Sequence, residues 1–399
     1  MDCAVARRLD SLWVNFFVAG GAYLLFIVAY LLLHGGGFSY FVTFGDMFSD
    51  KAALPTGFHV LGNSSGYDGQ FYYRLALNPF TTEKRGYGVT FDIPPYRQQR
   101  ILYPLLVWAL SLGGRFAVPF MMVAVNYIAL CLIAVVGGVY ARSIGRSTCW
   151  GLVLALYPGF IITLSRDLAE IIAVLLVLSG LLLFRRGRHG LAALAFSLGV
   201  LAKETTLLAA FAVLVSLAFG FFKVKSEGNA RWSLFLIPLL AFAGSQLVLY
   251  TVWGRLPVFS GEGNVFLHTS SNILTFFLDT VRFSTIQQKI SLVELCYLAF
   301  FTASVLHALG SSKAQSHEKL SWVLYLLLGL SLSGAVWIED TAFLRALSEF
   351  CLFGFIILIG SDSKVKIPVI VSTGVFWILL FLDVLLTGTP IGGGLRAIF

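Results

Sequence analysis

The sequence carries none of the short motifs that announce a soluble catalytic domain. It has no G-x-x-x-x-G-K-[ST] phosphate loop and no G-x-G-x-x-G dinucleotide fingerprint. Its five cysteines (Cys3, Cys131, Cys149, Cys296 and Cys351) are scattered, with no C-x-x-C pair, and read as inert small hydrophobes. Its six histidines lack the spacing of a metal-binding helix, so no zinc site is expected. Charge is scarce as well. Only 12% of the 399 residues are charged, against about 25% in soluble domains. Hydrophobic residues make up 58%, and the mean hydropathy is +0.86. That balance places the chain among polytopic membrane proteins. No internal repeat is visible, although transporter folds commonly have one.

Long apolar runs are abundant. A spanning helix needs about 20 apolar residues. Eleven segments are expected to cross: 12–34, 116–140, 148–164, 168–184, 190–203, 205–222, 232–253, 290–309, 320–337, 346–360 and 367–387. The first is longer than a signal-peptide core and lacks a cleavage pattern after it, so it reads as a signal anchor behind Arg7 and Arg8. The run 101–113 is too short to span and is expected to lie along or dip into the interface. The fold class is therefore all-α and polytopic. A single membrane-embedded unit covers 1–399, with external loops over 35–115 and 254–289.

The basic residues orient these segments. With the N-terminus cytoplasmic, the short inner segments hold 14 of the 28 Lys and Arg but only five of the 20 Asp and Glu. The whole formal excess of +8 then falls on the cytoplasmic side. The basic charge is thus a topology signal and not a nucleic-acid surface. The long connections face outward, where functional loops are expected. The expected location is a cell membrane, crossed many times, with the site on its outer face.

Four polar clusters fall on that outer side. In "GYDGQFYYRLALNPF" (66–80), Asp68 lies between Gly66 and Gly69 ahead of a short helix over 70–77, which has the pattern of an in-plane interfacial helix. Asp68 is either a helix N-cap or a functional carboxylate. In "DIPPYRQQRILYP", Arg97 and Arg100 either snorkel to lipid headgroups or bind a lipid phosphate. In "LSRDLAE", Arg166, Asp167 and Glu170 sit at a helix junction, and Arg166 and Glu170 have the spacing of a simple pair. "LAKETT" sets Lys203 and Glu204 at another such junction. In "WIEDTAFLRALSEF", Glu339 and Asp340 precede Arg345 and Glu349, whose spacing also suggests a pair. Ionisable groups at such depth are costly and point to function. Asn63-Ser64-Ser65 matches a glycosylation acceptor pattern and carries no assigned role.

Taken together, these residues resemble the GT-C superfamily of integral-membrane glycosyltransferases. "YDGQFYY" is similar to the Trp-Asp-Gly aromatic motif in the first lumenal loop of GPI mannosyltransferases. "YDGQFYYRLALNP", "PPYRQQRILYPLL", "YPGFIITLSRDLAE" and "LAKETTLLA", in that order, resemble a bacterial family of cell-surface glycopolymer formation proteins. The match covers roughly 66–210, and the C-terminal half agrees only in general character. Lys203 stands where relatives carry Arg, which keeps the charge.

The resemblance implies an inverting transfer of sugar from a polyprenyl-phosphate-linked donor to a glycan or lipid acceptor at the outer face. Asp68 is then the base. Arg345, Lys203, Arg166, Arg100 and Arg97 are candidates to hold the donor phosphate. Tyr67, Gln70, Tyr72, Arg74, Asp167, Glu170 and Glu204 are candidates to line the substrate site. Asp46 and Asp92 are the other loop carboxylates that could act as base. Some relatives use a divalent metal, so the resemblance admits one, although no ligand spacing requires it. Membrane lipids are expected partners and nucleic acid is not. A flippase of lipid-linked saccharides and a non-catalytic subunit of a glycopolymer complex are the competing classes.

Overall fold

The computed structural model describes residues 11–219, 232–260, 278, 286–332, 336–337 and 342–387. Glu339, Asp340 and most of the loop 254–289 lie outside the described residues. The chain is mostly helical with little sheet.

The first helix, α1 (Leu12–Leu33), follows directly from an unbroken apolar run. The 35–115 segment then folds as a compact layer. It contains α2 (Ser39–Val42), α3 (Gly69–Leu77), α4 (Pro94–Gln98) and α5 (Leu102–Ser111). Two small ladders brace it. Phe44–Gly45 pairs in parallel with Val60–Leu61, and Arg85–Gly86 pairs antiparallel with Val89–Thr90.

The remaining helices are α6 (Ala117–Ser143), α7 (Trp150–Ala155), α8 (Gly159–Ser165), α9 (Glu170–Arg185), α10 (His189–Ala202), α11 (Leu207–Ala218), α12 (Leu236–Trp253), α13 (Ile286–Ala308), α14 (Ser316–Leu330), α15 (Ala342–Ala346), α16 (Ser348–Gly360) and α17 (Lys366–Thr387).

Helices occupy each of the eleven expected segments, but among the described residues four are long and apolar enough to cross a membrane: Leu12–Leu33, Ala117–Ser143, Trp232–Trp253 and Lys366–Leu386. These mark the chain as a helical membrane protein. Most of the others are shorter, for local reasons. Pro158 divides 148–164 into α7 and α8, because proline lacks the N–H that a continuous helix needs. Lys203 has an extended backbone (φ −155°, ψ 124°) that stops α10 and begins the turn Glu204–Thr206. Two of the short helices are largely internal. All 13 residues of α16 are buried, and α9 is packed by α6, α10 and α16.

The helix over 70–77 departs from expectation. Its amphipathic pattern suggests a surface helix, but all nine residues of α3 are buried. Its aromatic face packs on α5, with Tyr72 edge-on to Tyr103, while Phe71 meets Phe48 and Phe91 of the loop. The loop covers the face that lipid headgroups would otherwise have taken.

Two close backbone approaches set the position of α3. A Cβ on Gly69 would lie 2.4 Å from the Arg166 carbonyl oxygen and 2.7 Å from that of Val42. Gly66 has φ +63° and stacks backbone to backbone on Gly45. Gln70 secures the same turn, accepting from Gly45 N and Ser49 Oγ and donating to the Ser65 carbonyl. Asp68 is thereby delivered to the junction between α8 and α9.

Gly69→Ala is expected to destabilise the protein by about 1–3 kcal/mol through overpacking against fixed backbone. Gly21, with nothing within 4 Å of its Cβ position, should accept Ala without loss. Thermal unfolding of the two variants in detergent checks this, and equal midpoints would refute the close-approach argument.

Candidate functional site

Asp68 occupies the N-cap position of α3, yet its side chain does not cap the helix. Its Oδ1 accepts from Arg97 Nη1 at 2.7 Å, and Arg345 Nη2 stands 4.0 Å from Oδ2. Burial pushes the Asp68 carboxyl up, but the guanidiniums of Arg97, Arg345 and Arg100 outweigh it and hold the group below the usual carboxylate range. The side chain keeps 17% exposure, so it borders accessible space.

Arg97 does not snorkel away from the protein. Two of its nitrogens also bind Asp92, at 2.9 and 2.5 Å, and the guanidinium lies 4.5 Å from the Phe71 ring centroid. Asp92 is therefore engaged by Arg97 and by the Ile93 N–H. Asp46, the other alternative base, lies elsewhere. Its oxygens accept the N–H groups of Ser64 and Asn63, which lower its carboxyl and fix it as a turn brace.

Arg345 joins distant parts of the chain. It donates to Glu170 Oε1 at 2.9 Å and to the Tyr67 hydroxyl at 2.9 Å. The Arg166 guanidinium lies over the same Tyr67 ring at 4.1 Å. The simple i, i+4 pairs suggested by sequence do not form: Glu170 takes Arg345 in place of Arg166, and Glu349 takes Lys203 in place of Arg345. Side chains on different elements converge here, which lets each charge find a partner across the bundle.

Lys203 Nζ donates to Glu349 Oε2 at 2.9 Å, and Thr205 and Ser348 donate to the same carboxylate. With Lys203 at 4% and Glu349 at 1% exposure, this is a closed buried network. Arg100 is forked onto Glu204, with Nε at 2.8 Å and Nη2 at 2.6 Å, and also donates to the Tyr96 hydroxyl. Asp167 has a left-handed backbone (φ +50°), and burial pushes its carboxyl well up, with only partial relief from the Tyr103 hydroxyl.

The structure thus brings together Asp68, Tyr67, Arg97, Arg345, Arg166 and Glu170, with Arg100–Glu204 and Lys203–Glu349 as flanking pairs. Tyr72 lies beneath, packed on Tyr103. Gln70 and Arg74 belong to the loop interior instead. Gln70 is fully buried in its turn, and Arg74 donates to Thr81 and lies over the Tyr87 and Phe91 rings. Sequence reasoning overlooked Tyr96 and Glu349 as site members. Tyr96 lies on α4 and Arg100 two residues past its end, where the guanidinium turns back to the Tyr96 hydroxyl. Glu349 is required once Lys203 and Glu204 are each given a separate partner. Among the described residues, no group of three or more His, Cys, Asp or Glu side chains is arranged to hold a metal ion. A recess of about 570 Å³ lined by residues including Asp46, Ser49, Asp50, Arg85 and Thr90 lies on the loop, and Asp68 is not among its lining residues.

Breaking a buried pair strands a charge, at a cost of about 3–5 kcal/mol. Lys203→Met should lower the unfolding temperature sharply, and adding Glu349→Leu should restore most of it. A double variant no better than the single one would show that the pair is not the determinant. The chain matches no family model, no curated protein sequence and no solved structure.

Proposed function

We propose that the protein is a glycosyltransferase of GT-C character, moving a sugar from a polyprenyl-phosphate donor to a glycan or lipid acceptor at the outer face of a cell membrane. The observation that carries the reading is the convergence of the polar motifs. Asp68, Arg97, Arg345 and Glu170 come from segments up to 277 residues apart and meet around one partly accessible carboxylate. The resemblance of the four motifs supports the same class. On this reading all eleven helical segments serve the bundle, with the N-terminus cytoplasmic and the 35–115 layer outside.

The chemistry follows from the residues. The acceptor hydroxyl oxygen forms a bond to the anomeric carbon, and its proton passes to the Asp68 carboxylate. The bond from that carbon to the phosphate oxygen breaks, and its electron pair leaves on the phosphate. Attack from the face opposite the leaving group inverts the configuration. Arg97 fixes one Asp68 oxygen and leaves the other directed towards the site. The departing lipid phosphate gains a negative charge, which Arg345 and Arg100 are suited to meet because guanidinium forks match phosphate oxygens. Lys203 is enclosed by Glu349 and acts as a structural support. A second cluster, Arg185–Glu318–Tyr140, lies at the far end of α9. Polar groups thus collect at the two ends with an apolar stretch between, which supports one-sided chemistry over a path through the membrane.

Asp68→Asn should reduce transfer about 10²–10⁴-fold, the usual contribution of a general base, with insertion and folding retained. Near-normal transfer from polyprenyl-phosphate sugars by the purified Asn variant would reject Asp68 as the base. The pH dependence gives a second check. The Asp68 carboxyl is depressed, so its basic form persists as pH falls and is lost only below the ordinary carboxylate value of about 4. The acid limb of kcat/KM should therefore be absent from about pH 5 to 8. Arg97→Gln removes a lowering charge and should move that limb upward. An acid limb above pH 5 in the parent protein would assign the base elsewhere.

A further inference from the structure

The ion pairs of the site differ in how firmly they are held. Glu349 accepts from Lys203, Thr205 and Ser348 and is 1% exposed. Glu170 is 2% exposed beneath Arg345. Glu204 is 25% exposed, and both its oxygens are taken by one guanidinium, that of Arg100. It begins a three-residue turn, Glu204–Thr206, and belongs to neither α10 nor α11. Rotating its side chain breaks no helix.

Both partners of this pair stand at the ends of apolar helices. Arg100 stands two residues before α5, which exposes Leu106 and Leu110 in its later turns. Glu204 follows α10, which packs against both α5 and α12; the leucines that α10 exposes, Leu191 and Leu194, lie at its opposite end. The charged fork therefore sits between two apolar helices, ahead of the start of α5 and just past the end of α10. A carboxylate held by Nε and Nη2 of one arginine has the geometry in which two phosphate oxygens would be held.

We propose that Glu204 is a displaceable stand-in for the lipid phosphate, occupying the Arg100 fork until the phosphate takes its place. This rests on the proposed transfer reaction and adds a positioning role. A phosphodiester donor carries one negative charge and the released monoester carries more, so Arg100 would pass from Glu204 to the phosphate as the charge develops. An interaction formed only at that stage favours the transition state over the bound donor. Glu204 also keeps the fork neutral when empty, since an unpaired guanidinium at this depth is costly.

The test uses the full-length protein in nanodiscs and polyprenyl monophosphate as the probe, with polyprenol and inorganic phosphate as comparison ligands. Glu204→Gln, which keeps shape but removes the competing charge, should bind polyprenyl monophosphate about tenfold tighter than the parent, as removal of a like charge from an anion site predicts. The ligand should also raise its unfolding temperature more. Adding Arg100→Gln should erase the gain. A purely structural role for Glu204 would give weaker binding, never tighter. Glu204→Ala, read in the same way, serves if the Gln variant does not fold.

Parent binding with an unchanged or weakened Glu204→Gln would overturn the stand-in role and leave the transferase reading intact. No preference for polyprenyl monophosphate over polyprenol in any variant would remove that reading, and this inference with it. A gain confined to inorganic phosphate would show a free-anion site and overturn the lipid assignment.

Discussion

Arg345 is bound at once to Tyr67, to Glu170 and, at longer range, to Asp68. A guanidinium with 13% of its side chain exposed cannot be left without acceptors, because the loss of hydration far exceeds the worth of ordinary packing. That requirement ties the C-terminal helices to the 35–115 layer and to the start of α9. It also accounts for α8, a seven-residue helix whose neighbour Tyr157 donates to the carbonyl of Leu344, one residue before Arg345. Gly159 allows the approach, since a Cβ there would lie 2.8 Å from that same carbonyl oxygen. The backbone is drawn close so that the charge can reach its partners.

Neutrality is the second theme. Arg97, Arg100, Lys203 and Arg345 each already face a carboxylate. On the proposed function, an incoming phosphate would not find these four cations free. It must exchange with groups of its own sign, and the ease of exchange differs from pair to pair with burial and with the number of hydrogen bonds holding the acid. Such a site discriminates by what it must give up as well as by what it gains.

Much of the framework is legible in the sequence because apolar runs and their breakers are local signals. The α1, α6, α12 and α17 segments follow from length and hydropathy, whereas the break at Pro158 inside the single expected run 148–164 was not read. The approximate meeting of the polar motifs was legible too. What was not legible is partner choice. Spacing along one helix suggested Arg166 with Glu170 and Arg345 with Glu349, but the partners lie on other elements, where three-dimensional proximity outranks periodicity. The burial of α3 escaped for a similar reason. Its amphipathic pattern describes one apolar face, while the loop that covers its other side is irregular and has no period to read. Gln70 and Arg74 looked like site residues because they are polar among aromatics, yet they satisfy the loop interior.

The unequal helix lengths have a mechanical consequence for the surrounding lipid. At about 1.5 Å per residue, the 27 residues of α6 extend about 40 Å, whereas the 14 residues of α10 extend about 21 Å. A hydrocarbon layer is about 30 Å thick. Taken alone, α10, with Leu191 and Leu194 exposed in its first two turns, is shorter than that layer, while α1 and α6 match or exceed it. Hydrophobic mismatch of this kind is relieved by local thinning of the bilayer. The leucines that α10 exposes lie in its first two turns, so any such thinning falls on that end of the helix, away from Glu204 and Arg100.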